Sequence, residues 1–131
     1  MSDQLLHKDV TERILSAFYK VYNVLGGGFL EKVYENALAI ELRTMGFKVE
    51  RRRQIKVYYG SAQVGDYYAD LVVEDKVILE LKATEMLNPA HDAQLGNYLK
   101  ATDIEVGMLL NFGDKPEFRR RIYTNDRKKR R

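Results

Sequence analysis

The chain has 131 residues and no cysteine, with 45% apolar and 31% charged side chains and a formal charge of +3. That composition describes one globular domain able to bury a core, and it excludes disulfides, thiolate metal sites and cysteine nucleophiles. No apolar stretch approaches the ~18 residues of a membrane span, so neither a membrane partner nor a membrane location is expected.

The first residues, Met1 to Asp9, lack a basic segment followed by a long apolar run. No signal peptide is therefore expected, and a reducing cytoplasm is the expected setting. Val10, Ile14, Phe18, Val21 and Leu25 fall at helical spacing, which predicts a helix over Lys8–Leu25. Gly26-Gly27-Gly28 ends it. The Gly-Lys-Ser/Thr of a phosphate loop does not follow, so the triplet reads as a helix stop and turn. A second helix is expected from Phe29 or Leu30 to Met45, stopped by Gly46.

Strand-like segments follow at Phe47–Arg53, Gln54–Tyr59, Gln63–Val73 and Val77–Ala83, with a turn at Gly60-Ser61. Asn88-Pro89 reads as a cap and first turn of a third helix reaching Ala101. Ile104–Phe112 has the pattern of a strand buried on both faces. Phe118–Tyr123 reads as an edge strand blunted by arginines. The expected fold is α/β: a central mixed sheet with helices on both sides, formed by residues 1–126 as a single domain. Residues 127–131, Arg-Lys-Lys-Arg-Arg, read as a basic disordered tail.

That tail holds five of the 22 basic residues, leaving 17 against 19 acids in the body. Basic character is therefore local, in the tail, in Arg51-Arg52-Arg53 and in Arg119-Arg120-Arg121. Such runs attract phosphate backbones with little sequence preference; the competing account is a set of solvated faces.

Chemistry concentrates between Asp70 and Lys82. The apolar runs Leu71–Val73 and Val77–Leu81 flank Glu74-Asp75-Lys76, which reads as a three-residue hairpin loop. Val73 then pairs with Val77, and Asp70 lies opposite Glu80. Side-chain alternation puts Glu80 and Lys82 on one face. Facing carboxylates repel, and either Lys82 or a divalent cation must compensate. On the second helix, Glu31, Leu38 and Leu42 point nearly the same way. Glu31 is thus either a buried acid needing a partner or a first-turn acid at the rim, favoured by the helix dipole. Asp70, Glu80, Glu31 and the Leu81 carbonyl offer oxygen ligands suited to Mg²⁺. His7 and His91 are too few for a zinc site, and no serine lies in a nucleophile elbow.

Asp70…Glu80-Leu81-Lys82 resembles the motif of the PD-(D/E)XK nuclease superfamily, and the element order resembles its αβββαβ core with an extra N-terminal helix. Gly28-Phe-Leu-Glu31-Lys-Val-Tyr34 is similar to the signature of the GxxExxY proteins of that superfamily. Gln94-Leu-Gly-Asn-Tyr98 is similar to the Gln-x-x-x-Tyr motif of RecB-like exonuclease domains. Ala69 stands where the superfamily name has proline.

The resemblance implies a restriction-endonuclease-like fold. Asp70 and Glu80 would be metal ligands with the Leu81 carbonyl, Lys82 the catalytic lysine, and Glu31 a further ligand or water-orienting acid. Gln94 and Tyr98 would approach the nucleic-acid strand or brace the site. Arg51, Arg52 and Arg53 are added as substrate-binding candidates on charge. The expected activity is phosphodiester hydrolysis with Mg²⁺ or Mn²⁺. The expected partners are nucleic acid, taken as DNA, and a second copy of the chain in a homodimer. The alternative is a nucleic-acid-binding module with a weak or disused site.

Overall fold

The computed structural model describes residues 6–128. Its elements are α1 (Lys8–Leu25), α2 (Glu31–Thr44), β1 (Val49–Tyr59), β2 (Ala62–Val73), β3 (Val77–Lys82), α3 (Pro89–Lys100), β4 (Val106–Phe112) and β5 (Pro116–Ile122), followed by a short 3-10 turn at Asn125–Arg127. No helix among the described residues is long and apolar enough to cross a membrane.

The periodic residues of α1 become its buried stripe, with Ile14, Ala17, Phe18 and Val21 facing inward. Gly26 closes the helix with φ +68°, donating its N–H to Tyr22 O at 2.7 Å. The glycine turn is then pinned from α2. Tyr34 is fully buried, donates its hydroxyl to Gly26 O at 2.6 Å and accepts from Phe29 N–H at 3.2 Å. Its ring stacks on Phe112 of β4 at 4.5 Å between centroids. The triplet is a clasped turn, as its lack of phosphate-loop partners suggests.

The five strands lie in the order β1-β2-β3-β4-β5. Strands β3 and β4 run parallel through the α3 crossover, and the other neighbours are antiparallel. Helices α1 and α2 share a core with Leu71, Val73, Leu79, Leu81 and Leu110 on one face. Helix α3 packs Leu95 and Leu99 with Val72, Ile78 and Leu109 on the other. Strand β4 is buried at every residue, which matches its unbroken apolar run. Asn88 caps α3 as its sequence suggests, accepting from Ala90 N–H at 2.9 Å and His91 N–H at 3.4 Å.

Three expectations change. Residues 47–53 and 54–59 do not form two strands but one, Val49–Tyr59, and its pairing with β2 continues past the expected break. Arg52 absorbs the irregularity in a left-handed conformation, φ +55°. Val49, Leu71 and Val73 face α1 and α2, whereas Ile55 and Ala69 join the α3 core, although all five are odd-numbered. The ribbon therefore switches faces around Arg52 and Asp70, as a bulge-like distortion allows. Helix α2 starts at Glu31, one or two residues later than expected. Arg127 and Lys128, expected in the tail, join the fold: Arg127 ends the 3-10 turn, and Lys128 Nζ donates to Thr102 O at 2.9 Å and Ile104 O at 2.8 Å. The rest of the expected tail, 129–131, and residues 1–5 at the other end lie outside the described residues.

Candidate active site

The β2–β3 ladder pairs Val73 with Val77, Val72 with Ile78 and Leu71 with Leu79, and there it ends. The loop has the expected three residues, with Glu74 and Asp75 at φ +56° and +55°. Beyond Leu71 two carboxylates take over the pairing. Asp70 N–H donates to Glu80 Oε2 at 2.8 Å, and Leu81 N–H donates to Asp70 Oδ2 at 2.9 Å. Each acid thus satisfies a backbone donor that the diverging strands leave without a ladder partner, which is what lets both be buried.

Burial, and then the Asp70 charge, push Glu80 up to about 8. Burial also raises Asp70, against the lowering effects of the Leu81 N–H, Arg52 and Lys82. Two buried, mutually repelling sets of hard oxygen donors fit a divalent cation, whose charge would favour both ionised forms. Asp70 also has a compensating partner beyond the two foreseen, Arg52. Arg52 Nη1 lies 3.2 Å from Asp70 Oδ1 and 3.8 Å from Glu35 Oε1.

Lys82 is half-buried at the end of β3, and its charge is felt by Glu31, Asp70 and Glu80 alike. Parallel pairing sets Lys82 beside Asn111 of β4. Asn111 is fully buried and clasps the chain just after Lys82: its Oδ1 accepts from Thr84 N–H and its Nδ2 donates to Thr84 O, both at 3.0 Å.

Glu31 is the first residue of α2 and is exposed, so the buried stripe begins one turn later and does not include it. Its carboxyl is nonetheless raised by the desolvating bulk of the protein, with Lys82 acting the other way. The buried acid of this helix is Glu35. It is 4% exposed and held by Arg51 Nη2 at 2.8 Å and Lys32 Nζ at 3.2 Å. Sequence reasoning passed over Glu35; the clue was its place one turn after Glu31 and three residues before Leu38. Among the described residues, no three Asp, Glu, His or Cys side chains form a metal-binding cluster. Asp70 and Glu80 stand as a pair.

Gln94 and Tyr98 do share one face of α3, with Gln94 Nε2 donating to Tyr98 Oη at 3.0 Å. Tyr98 is buried beside the acids: burial first, then the Glu80 charge, push it up to about 12. Arg51, Arg52 and Arg53 do not present one patch. Arg51 and Arg52 turn to the Glu35–Asp70 side, while Arg53 pairs with Asp75 at 3.2 Å and Glu50 at 3.5 Å.

A family model of the PD-(D/E)XK nuclease superfamily matches residues 8–121. Among solved structures, the crystal structure of SSO0001 is similar, with a TM-score of 0.56 at 18% identity over 95% of this chain and 63% of that one. This chain spans under two thirds of that protein's length, and at such identity the likeness bears on the fold alone: a mixed sheet flanked by helices, as in restriction endonucleases. No curated protein matches the chain. Nucleases of the matched family act on nucleic acid and generally use divalent metals. The acids at the end of the β2–β3 hairpin, the lysine two residues on and the family match over nearly the whole length agree: the chain belongs to the PD-(D/E)XK nuclease superfamily.

Proposed function

We propose that the chain is a metal-dependent nuclease that hydrolyses phosphodiester bonds of DNA, working in the cytoplasm as one domain and as a homodimer. The observation that carries this reading is the buried Asp70–Glu80 pair beside Lys82. Mg²⁺ or Mn²⁺ would be held by Asp70, Glu80 and the Leu81 carbonyl, with Glu31 reached directly or through water. When bound, such a cation lowers the pKa of coordinated water and neutralises charge building on the phosphoryl group. Lys82 brings a fixed ammonium to that charge. Asn111 holds the backbone that follows Lys82, and the Gln94–Tyr98 pair shields the acids from the α3 side. Within the superfamily we place the chain with the GxxExxY proteins. Gly28, Glu31 and Tyr34 support this, Tyr34 by pinning the turn that sets the start of α2 and so the position of Glu31.

Cleavage of single- and double-stranded DNA by the purified chain is expected to require Mg²⁺ or Mn²⁺ and to vanish in Asp70→Ala and Lys82→Ala. Intact substrates under every divalent cation tried would end the enzymatic reading. The alternative, a binding module with a weak site, is favoured by one feature: Arg52 already sits on Asp70 Oδ1. That account predicts nucleic-acid binding that survives Asp70→Ala without cleavage.

A further inference from the structure

The β1–β2 ribbon outgrows the rest of the sheet, because β2 pairs with β3 only over Leu71–Val73. Helix α3 packs beside its outer part instead, and the two enclose a cavity of about 430 Å³. Small-molecule sites span roughly 300–1,000 Å³. Ile55 and Tyr98, both buried, contribute to an apolar lining. Tyr67, 47% exposed, lines it from the ribbon, its ring 5.7 Å from that of Tyr98. Gln94 and Asn97 line it from α3. Gln94 spends its Nε2 on Tyr98 and keeps Oε1 as an acceptor. The exposed Asn97 side chain makes no hydrogen bond to a described residue.

An apolar space with two side-chain amides in its lining suits a heteroaromatic ring with polar edges. Side-chain amides pair a donor with an acceptor, the combination that nucleobase edges present. The acids do not line the cavity but lie close behind its wall. Tyr98 lines it and feels the charges of Glu80 and Asp70, while His91 lines it and feels that of Lys82.

We propose that this cavity takes one unpaired nucleobase of the bound strand, stacked against Tyr67, with its edge read by the amides of Gln94 and Asn97. Its place beside a scissile phosphate rests on the nuclease reading; the binding of the base does not. A base inside a duplex is stacked and paired, so it enters only after leaving the helix. The site therefore favours single strands.

The test is fluorescence anisotropy with labelled single strands of dA, dC, dT and mixed sequence, their RNA counterparts, a duplex, and an abasic strand of equal length. Ca²⁺ replaces Mg²⁺ so that binding is read without turnover. Tyr67→Leu is expected to weaken single-strand binding about 5- to 150-fold, the range of base–aromatic stacking, leaving the abasic strand and the duplex unchanged. Asn97→Ala is expected to flatten the differences among bases, and the DNA and RNA arms show which strand is held. Thermal melting confirms that both variants fold. Equal loss on normal and abasic strands, or binding like the unmodified protein in both variants, overturns the base site. Base-dependent binding without cleavage in any divalent cation would remove the nuclease reading and leave the base site standing. Cleavage with base-independent binding would do the reverse.

Discussion

Burial and the Asp70 carboxylate push Glu80 up to about 8, so the metal-free protein holds a proton there that the unfolded chain releases near the ordinary value of 4.5. Between those two pH values the folded state binds more protons, and stability falls as pH rises through the window. Glu80→Gln keeps an oxygen for the Asp70 N–H and removes the charge. It should stabilise the metal-free protein at pH 8.5 by roughly 1–3 kcal/mol and change little at pH 4. Melting curves in EDTA at both values decide this, and an equal gain at both would contradict it. Arg52 is the other residue with a measurable consequence. It sits on the Asp70 oxygen that a cation would use, in a left-handed conformation that arginine seldom adopts. Arg52→Ala should tighten Mn²⁺ binding by about tenfold, read by titration of the free-ion spin-resonance signal, and loosened binding would show that Arg52 supports the site. The two acids were readable in the sequence because turn length and strand alternation are local rules. Arg52 and Glu35 were not, since their roles arise from the register between β1 and β2 and the approach of α2, contacts 18 residues apart for Arg52–Asp70 and 16 for Arg51–Glu35.

At the scale of elements, what positions Lys82 is the seam between β3, β4 and the loop after β3. Asn111 bonds both backbone groups of Thr84, and a Cβ added at Gly113 would lie 2.0 Å from Thr84 O and 3.1 Å from Asn111 Nδ2. The glycine leaves room for the clasp, and the loop oxygen there belongs to backbone and cannot swing away. Gly113→Ala should cost about 1–3 kcal/mol of stability, measured by denaturant titration. Under the nuclease reading it should also lower cleavage at temperatures where the variant remains folded. Loss of stability without loss of activity would mean the seam serves the fold alone. The helices were predicted to within one or two residues because their apolar spacing, glycine stops and the Asn88 cap are written in neighbouring positions. In sequence, strand β1 reads as two because Arg51-Arg52-Arg53 interrupts its apolar pattern. In the protein, one left-handed residue lets the ribbon change faces without losing its partner.

The whole molecule carries its charge in a way composition alone conceals. Arg51 is bound to Glu35, Arg52 to Asp70, Arg53 to Asp75, Arg119 to Glu117 and Arg121 to Asp92, while Arg120 donates to Leu6 O at 2.6 Å. Runs that look like a phosphate-binding surface in sequence are thus largely engaged within the protein. Where both partners are exposed, as in Arg53–Asp75, Arg119–Glu117 and Arg121–Asp92, such pairs are weak, on the order of 0–1 kcal/mol each, so phosphates could replace those acids at modest cost. The buried Glu35 and Asp70 hold Arg51 and Arg52 more firmly. Salt dependence distinguishes the two regimes. Each neutralised phosphate adds about −0.9 to the slope of log K against log salt for duplex DNA and about −0.7 for a single strand. If the internal pairs persist and recognition relies on Lys82, the cation and a stacked base, two or three phosphates are neutralised and the single-strand slope stays shallower than about −2. If both arginine runs turn outward, six phosphates are engaged and the slope approaches about −4. The expected outcome is the shallow slope, measured by anisotropy from low to moderate salt in Ca²⁺. Glu35→Gln supplies the check: freeing Arg51 from its buried partner should steepen the slope by about one phosphate if that arginine can reach the strand.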